Sequence, residues 1–328
     1  KSIYPRLTKE FRAWHEKIRK PIFMSEYGAD TIAGNHKLPE TIFSEEVVWL
    51  PKLNSDPEYH YEHIVGAMKL AASMGAQGIQ VYATRGEMAP ENLSPEKRRE
   101  FLNLVKDNGL IISALCGDLG GGGFIHKDLN KERVEKSKRI LDLAKELETD
   151  VVTTHIGVVP NDPNHDRYKI MQEACRELAE YADSIDAHFA VETGPETSAV
   201  LKGFLDSLDS TGVGVNLDPA NLVMVTGDDP VQAVHNLKKY IVHTHAKDGK
   251  QIFYKDPEIV YGIKKDVIVT EDSFIEVPLG EGSVPFPAYL KALEDIGYNG
   301  FLTIEREVGD DPAKDIRAAV EFLKNTMR

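Results

Sequence analysis

Cysteine is scarce in this chain: Cys116 and Cys175 are the only two in 328 residues, and they lie far apart without ligand spacing. That excludes a disulfide framework and argues against a cysteine-built metal site. Two buried thiols in a reducing cytoplasm are expected. Long apolar runs are missing as well. No stretch approaches the ~18 residues of a membrane helix, and the first residues lack the pattern of a secretory signal, so no membrane partner is expected. Basic residues are in deficit, 39 Lys and Arg against 53 Asp and Glu, for a net charge of −14. Phosphate backbones are bound mainly through Lys and Arg, so this balance argues against a nucleic-acid partner. Finally, the glycine run at 120–123 is not followed by the Lys-Ser/Thr of a P-loop. It reads as a flexible rim loop, with phosphate or sugar contact as the lesser alternative.

What is present is a regular alternation. Short apolar runs rich in Val, Ile and aromatic residues occur at 45–50, 76–83, 110–118, 150–157, 188–194, 212–218, 240–248 and 300–307. Such runs suit strands buried on both faces. Between them lie helical patterns, among them 61–76, 94–109, 131–148, 168–186 and 285–297. The second of these starts on Ser94 as N-cap, continues with Pro95 and stops at Gly109. Eight strands in β-α alternation predict an α/β fold of the (β/α)₈ TIM barrel type, with a doubly wound open sheet as the competitor. The length holds one barrel of roughly 250 residues with about 80 left over. Residues 249–277 interrupt the alternation as a long connection, the kind that forms lids or substrate walls.

Four of the apolar runs end alike. Glu192 closes HFAVE, Asp218 closes GVGVNLD, His245 closes YIVHTH and Glu305 closes GFLTIE. A charged residue at the tip of a buried strand is costly unless it meets a partner or a metal. In a barrel all four tips reach the C-terminal rim, where active sites of this architecture form. Two Glu, one Asp and one His make a hard, oxygen-rich site for a divalent cation, with Mn²⁺ or Mg²⁺ favoured and Co²⁺ or Zn²⁺ accommodated.

VETG (191–194), NLDPANLVM (216–224), HTHAKDGK (243–250), PLGEGSVPFPAYLKAL (278–293) and GYNGFLTIERE (297–307) occur in the order seen in the sugar-phosphate isomerase/epimerase family, the xylose-isomerase-like barrels. Residues 47–328 resemble that family. The resemblance implies that Glu192, Asp218, His245 and Glu305 are the metal ligands, with Mn²⁺ the expected ion. It also implies that Glu192 and Glu305 are the acid/base pair of an isomerase or epimerase. The implied substrate is a small sugar, sugar phosphate or sugar acid, turned over by proton transfer through an enediolate. A keto-sugar lyase or dehydratase, or a C-glycoside-cleaving enzyme, uses the same enolising chemistry and is the alternative. An apurinic endonuclease shares the fold but needs extra ligands and a basic face. Barrels of this family pair or form tetramers, so a homo-oligomer is expected by analogy.

Around the quartet, substrate-binding candidates are His155, Asn221, His243, Lys247 and Glu196. His155 ends the fourth strand and reads as a substrate contact, a second-metal ligand or a hydrogen-bonded rim histidine. His243 lies two residues before His245 and faces the same way on a strand. Lys247 either polarises a substrate oxygen or pairs with Asp248. Asn221 stands where some epimerases of the family carry a His. Glu196 binds a sugar hydroxyl or is a solvated carboxylate. Trp49 stacks on a sugar or packs in the core.

Residues 1–46 form a separate N-terminal extension. KPIFMSEYGADTIAGNHKLPETIFSEE (20–46) resembles the stretch around the nucleophile of β-glucuronidases, with Glu26 at the nucleophile position. The strand that carries that family's second catalytic carboxyl has no counterpart here, so the extension reads as a fragment of a glucuronidase barrel without its activity.

Overall fold

The computed structural model describes residues 57–265, 271–306, 308 and 311–327. The extension 1–46, with Glu26, and the strand expected at 45–50, with Trp49, lie outside the described residues.

Local signals set the helices. α2 (Pro95–Asp107) begins where Ser94 Oγ accepts from Lys97 N, has Pro95 in its first turn, and is followed by Gly109 at φ 71°. α1 (Pro57–Met74) leads into β1 (Gly78–Tyr82), and α2 into β2 (Ile111–Cys116). The alternation continues through α3 (Lys127–Glu146), β3 (Val151–Thr154), α4 (Asp166–Ser184), β4 (His188–Glu192), α5 (Ser198–Asp206) and β5 (Val213–Leu217). A short α6 (Pro219–Asn221) runs into a π-helical turn at Leu222–Thr226, then α7 (Pro230–Leu237) and β6 (Ile241–Ala246). The connection that follows holds β7 (Asp248–Gln251), α8 (Pro257–Val260) and β8 (Phe274–Val277). The chain closes with α9 (Phe286–Asp295), β9 (Leu302–Ile304) and α10 (Pro312–Thr326).

Seven strands form one parallel sheet in the order β1-β2-β3-β4-β5-β6-β9. They coincide with seven of the eight expected runs, and the sheet curls into a nearly closed TIM barrel. Its edge strands β1 and β9 face each other across a cavity of about 430 Å³, lined by residues 76–80 on one side and 299–304 on the other. The helices pack outside. Phe101, Phe189, Phe204, Phe286 and Tyr289 are fully buried in one continuous core, each contributing on the order of 2 kcal/mol of transfer free energy.

The described residues of the long connection hold regular elements. β7 and β8 pair antiparallel over the barrel mouth, and β7 packs on the π-helical turn. Gly249 allows this close approach: an added Cβ would stand 2.2 Å from Met224 Sδ and 2.9 Å from the Ile275 carbonyl oxygen. The glycine run is likewise a built turn rather than a loose loop. All four glycines have positive φ, and a Cβ on Gly123 would lie 2.1 Å from the Ile156 carbonyl carbon. Gly120 N donates to Asp118 Oδ1, Arg133 donates to Gly120 O, and Phe124 N donates to Ile156 O.

Candidate metal centre

The parallel barrel delivers the four strand ends to one place. Glu192 is the last residue of β4, Asp218 directly follows β5, His245 lies near the end of β6 and Glu305 directly follows β9. One ligand atom from each lies within 4.8 Å of the others, and all four residues are buried. His245 Nδ1 is the hub, 3.2 Å from Glu305 Oε2, 3.3 Å from Asp218 Oδ2 and 3.8 Å from Glu192 Oε2.

Second contacts fix each ligand. Asp218 caps α6 by accepting from Asn221 N at 2.8 Å, and its backbone is tied to Thr193 Oγ1 in both directions. Asn221 Nδ2 donates to Glu192 Oε1 at 2.7 Å. Asn216 Nδ2 reaches His245 Nε2 at 3.1 Å and Glu192 Oε2 at 3.3 Å. Lys247 Nζ donates to Glu305 Oε2 at 2.9 Å and lies 4.0 Å from Glu276, which is itself paired with Arg306.

These surroundings separate the two glutamates. Burial, with the charges of Glu305 and Asp218 added, pushes the Glu192 carboxyl up to about 8. Burial also opposes the ionised form of Glu305, but the Lys247 ammonium and His245 outweigh it and hold that carboxyl well below the usual range. Burial disfavours the charged His245, yet Glu305, Glu192 and Asp218 overcome it and raise the imidazole well above its ordinary value.

The donor set fits a divalent cation. Three carboxylates and one imidazole converge in the barrel interior, and Glu305 Oε1 and Asn216 Oδ1 are buried without a hydrogen-bond partner. Buried negative charge of this density needs a cation to offset its desolvation. Oxygen donors with one nitrogen suit Mg²⁺ or Mn²⁺.

The remaining candidates divide. His155 stands at the rim, its Nδ1 3.2 Å from Asp118 Oδ2 and its Nε2 3.7 Å from Glu192 Oε1. Glu196 is buried; Oε2 accepts from Val159 N at 3.0 Å, Oε1 has no partner, and burial pushes the carboxyl up to about 8. Asn221 joins the quartet through Glu192. His243 lies one strand step deeper, bonded to Thr303 Oγ1 at 2.8 Å, and burial next to His245 drives its pKa to about 3. Lys247 meets Glu305 rather than Asp248. The Asp248 carboxylate instead gathers the backbone N–H groups of Gly249, Gly280, Gly282 and Val284.

Two neighbours of the cluster lie outside the sequence candidates. Asp118 closes the run 110–118 with the same charged-tip pattern as the quartet, so the signal was there. Asn216 is an uncharged residue within a strand and carries no local signal.

Fold and site together define a parallel α/β barrel with a buried cluster of three carboxylates and one imidazole at the C-terminal mouth, a donor set that could hold a metal ion. A family described as xylose isomerase-like TIM barrel matches residues 68–326, and the chain belongs to that family. An uncharacterized protein of Methanocaldococcus jannaschii, MJ1311, is 25% identical over 248 residues, 71% of this chain and 76% of that protein. The inosose dehydratase of Lacticaseibacillus casei is 29% identical over 132 residues, 39% of this chain and 41% of that enzyme. Among solved structures, a xylose isomerase domain protein from Planctomyces limnophilus has a TM-score of 0.65 at 25% identity, covering 79% of this chain and 90% of that one. The 3-keto-D-glucoside 4-epimerase YcjR of E. coli shares the fold at TM-score 0.59 and 18% identity, over 80% and 95% of the two chains. A short match to the β-glucuronidase of Sus scrofa, 54% over 44 residues, spans 13% of this chain and 7% of that enzyme.

Proposed function

We propose that this protein is a divalent-metal-dependent isomerase or epimerase of a small sugar, sugar phosphate or sugar acid, working by proton transfer through an enediolate. The observation that carries the reading is the pairing of Glu192 and Glu305. The two carboxyls share one cluster within 4.8 Å, and in the metal-free protein their surroundings favour opposite protonation states. A pair of titratable groups driven apart in this way suits acid and base roles.

Glu305, kept ionised by Lys247 and His245, takes the proton from the carbon beside the substrate carbonyl. Glu192, across the cluster, is the group assigned to return a proton to the enediolate. When bound, the cation, Mn²⁺ by preference, supplies charge stabilisation to the carbonyl and hydroxyl oxygens of the substrate. Asn221 and Asn216 hold the Glu192 carboxyl in place, so its proton is presented in one direction. His155, oriented by Asp118, and the neutral Glu196 carboxyl are the groups assigned to substrate hydroxyls. His243 acts beneath the site, where it buttresses the strand that carries His245.

The similarity to an inosose dehydratase supports a second reading, in which the same enolisation is followed by loss of a group from the next carbon. One experiment tests both. Keto-sugars, uronates and keto-glycosides are incubated in D₂O with Mn²⁺ and read by NMR. Deuterium at the carbon next to the carbonyl with mass otherwise conserved supports the isomerase or epimerase. Exchange with release of water or a fragment supports the lyase. No exchange in any of these substrates, with or without metal, refutes enolisation.

A further inference from the structure

The long connection also reaches the site, through α8 and the residue that follows it. α8 is held at its N-terminal end: Asp256 Oδ1 accepts from Glu258 N at 2.9 Å, and Lys264 reaches back to Asp256 Oδ2 at 3.1 Å. The Glu258 carboxylate joins Lys264 to Arg167 at the start of α4, which anchors the segment to the barrel's outer layer. The helix ends at Tyr261, which packs with Val260 against the main core.

The aromatic ring of Tyr261 faces inward. Its centroid is 6.0 Å from that of His155, tilted by 44°. Gly194, two residues past Glu192, sits at φ 140°, and an ideal Cβ there would fall 2.7 Å from Tyr261 Oη and 2.6 Å from Asn221 Cβ. The phenol oxygen thus occupies the space that a side chain at 194 would fill. It stands over the strand end that carries Glu192, beside the Asn221 that bonds Glu192 Oε1. The Glu305 side of the cluster has Lys247 as its cationic neighbour, whereas the Glu192 side has a neutral O–H and the His155 imidazole.

We propose that Tyr261 is a substrate-binding residue whose phenol O–H donates to a substrate oxygen on the Glu192 side of the metal centre. The ligand class is a planar pair of adjacent oxygens, the shape of an enediolate. This inference rests on the enolising function proposed above. An oxygen that gains negative charge as the proton leaves is the kind of acceptor a preoriented neutral donor stabilises. Gly194 is the permissive partner, since any side chain at that position would displace the hydroxyl.

The test uses the 328-residue chain loaded with Mn²⁺ and glycolohydroxamate as the probe, a small chelator whose two oxygens copy an enediolate. Calorimetry is run on wild type, Y261F and Y254F, the last altering an exposed tyrosine of the same connection. The expected result is equal Mn²⁺ affinity in all three, hydroxamate binding weakened at least tenfold in Y261F, and no change in Y254F. An ultraviolet difference spectrum of the wild type on adding hydroxamate provides an independent reading: a tyrosine perturbation absent from Y261F and kept in Y254F supports the contact. Equal hydroxamate affinity in wild type and Y261F overturns the assignment of Tyr261 and leaves the enolising function standing. A wild type that takes up Mn²⁺ but not the hydroxamate removes both.

Discussion

Replacing Glu196 by Gln is expected to flatten the dependence of stability on pH. Glu196 is buried at the barrel mouth, and its carboxyl is pushed from 4.5 up to about 8 by burial, only partly relieved by the Val159 N–H and His155. Between those values the folded protein keeps a proton that the unfolded chain has released, so stability falls as pH rises through that window. The stabilisation is complete below pH 4.5 and is lost as pH climbs to about 8. At about 1.4 kcal/mol per pH unit, the loss between pH 5 and pH 8 is on the order of 4 kcal/mol as an upper limit. Gln has nearly the same shape, can still accept from Val159 N–H, and does not titrate. The difference between the two proteins is read as urea midpoints by circular dichroism at several pH values, with chelator present throughout so that metal uptake adds no slope. For an m value of about 3 kcal/mol/M, the wild-type midpoint falls relative to E196Q by up to about 1.3 M between pH 5 and pH 8. Parallel curves for the two proteins would show that Glu196 ionises as freely in the folded state as in the unfolded one, and the argument from burial would fail.

Mn²⁺ at a hundred times its dissociation constant is expected to stabilise the wild type by about 2.7 kcal/mol, and this increment disappears in D218N or H245A, as thermal melts with and without chelator will show. Glu192→Gln and Glu305→Gln each lower turnover by at least about 100-fold while leaving the circular dichroism spectrum unchanged; near wild-type rates in either would remove it from the acid/base pair. Lys247→Met takes away the cation that keeps Glu305 ionised, so the acid limb of the kcat/KM profile moves to higher pH; an unmoved limb would show that His245 alone suffices. Gly123→Ala forces a Cβ to within 2.1 Å of the Ile156 carbonyl carbon at φ 63°, and a loss of about 2 kcal/mol or more is expected in urea titrations.

The order in which function was legible follows from the range of the interactions involved. Strand and helix runs are local patterns, and seven of the eight expected strands reappear within a few residues of their predicted bounds. The charged tips were legible for the same reason: a Glu, Asp or His at the end of an apolar run is visible in the run itself, and Asp118 obeys the rule that found the other four. What Lys247 touches is different. Its neighbour in sequence is Asp248, but Asp248 is held by the N–H groups of the 280–284 turn, and the ammonium turns to Glu305 instead. The depth of His243, satisfied by Thr303 from another strand, has the same non-local origin.

By itself the sequence determined the alternation, the parallel barrel and the four charged strand ends that cluster at its mouth, because periodicity and strand-end charge are properties of contiguous residues. Tertiary structure alone set the different surroundings of Glu192 and Glu305, and it alone brought Tyr261 from the long connection to the mouth. Both outcomes depend on charges and surfaces that meet across dozens of residues of chain, where burial and proximity, not spacing, set the energy.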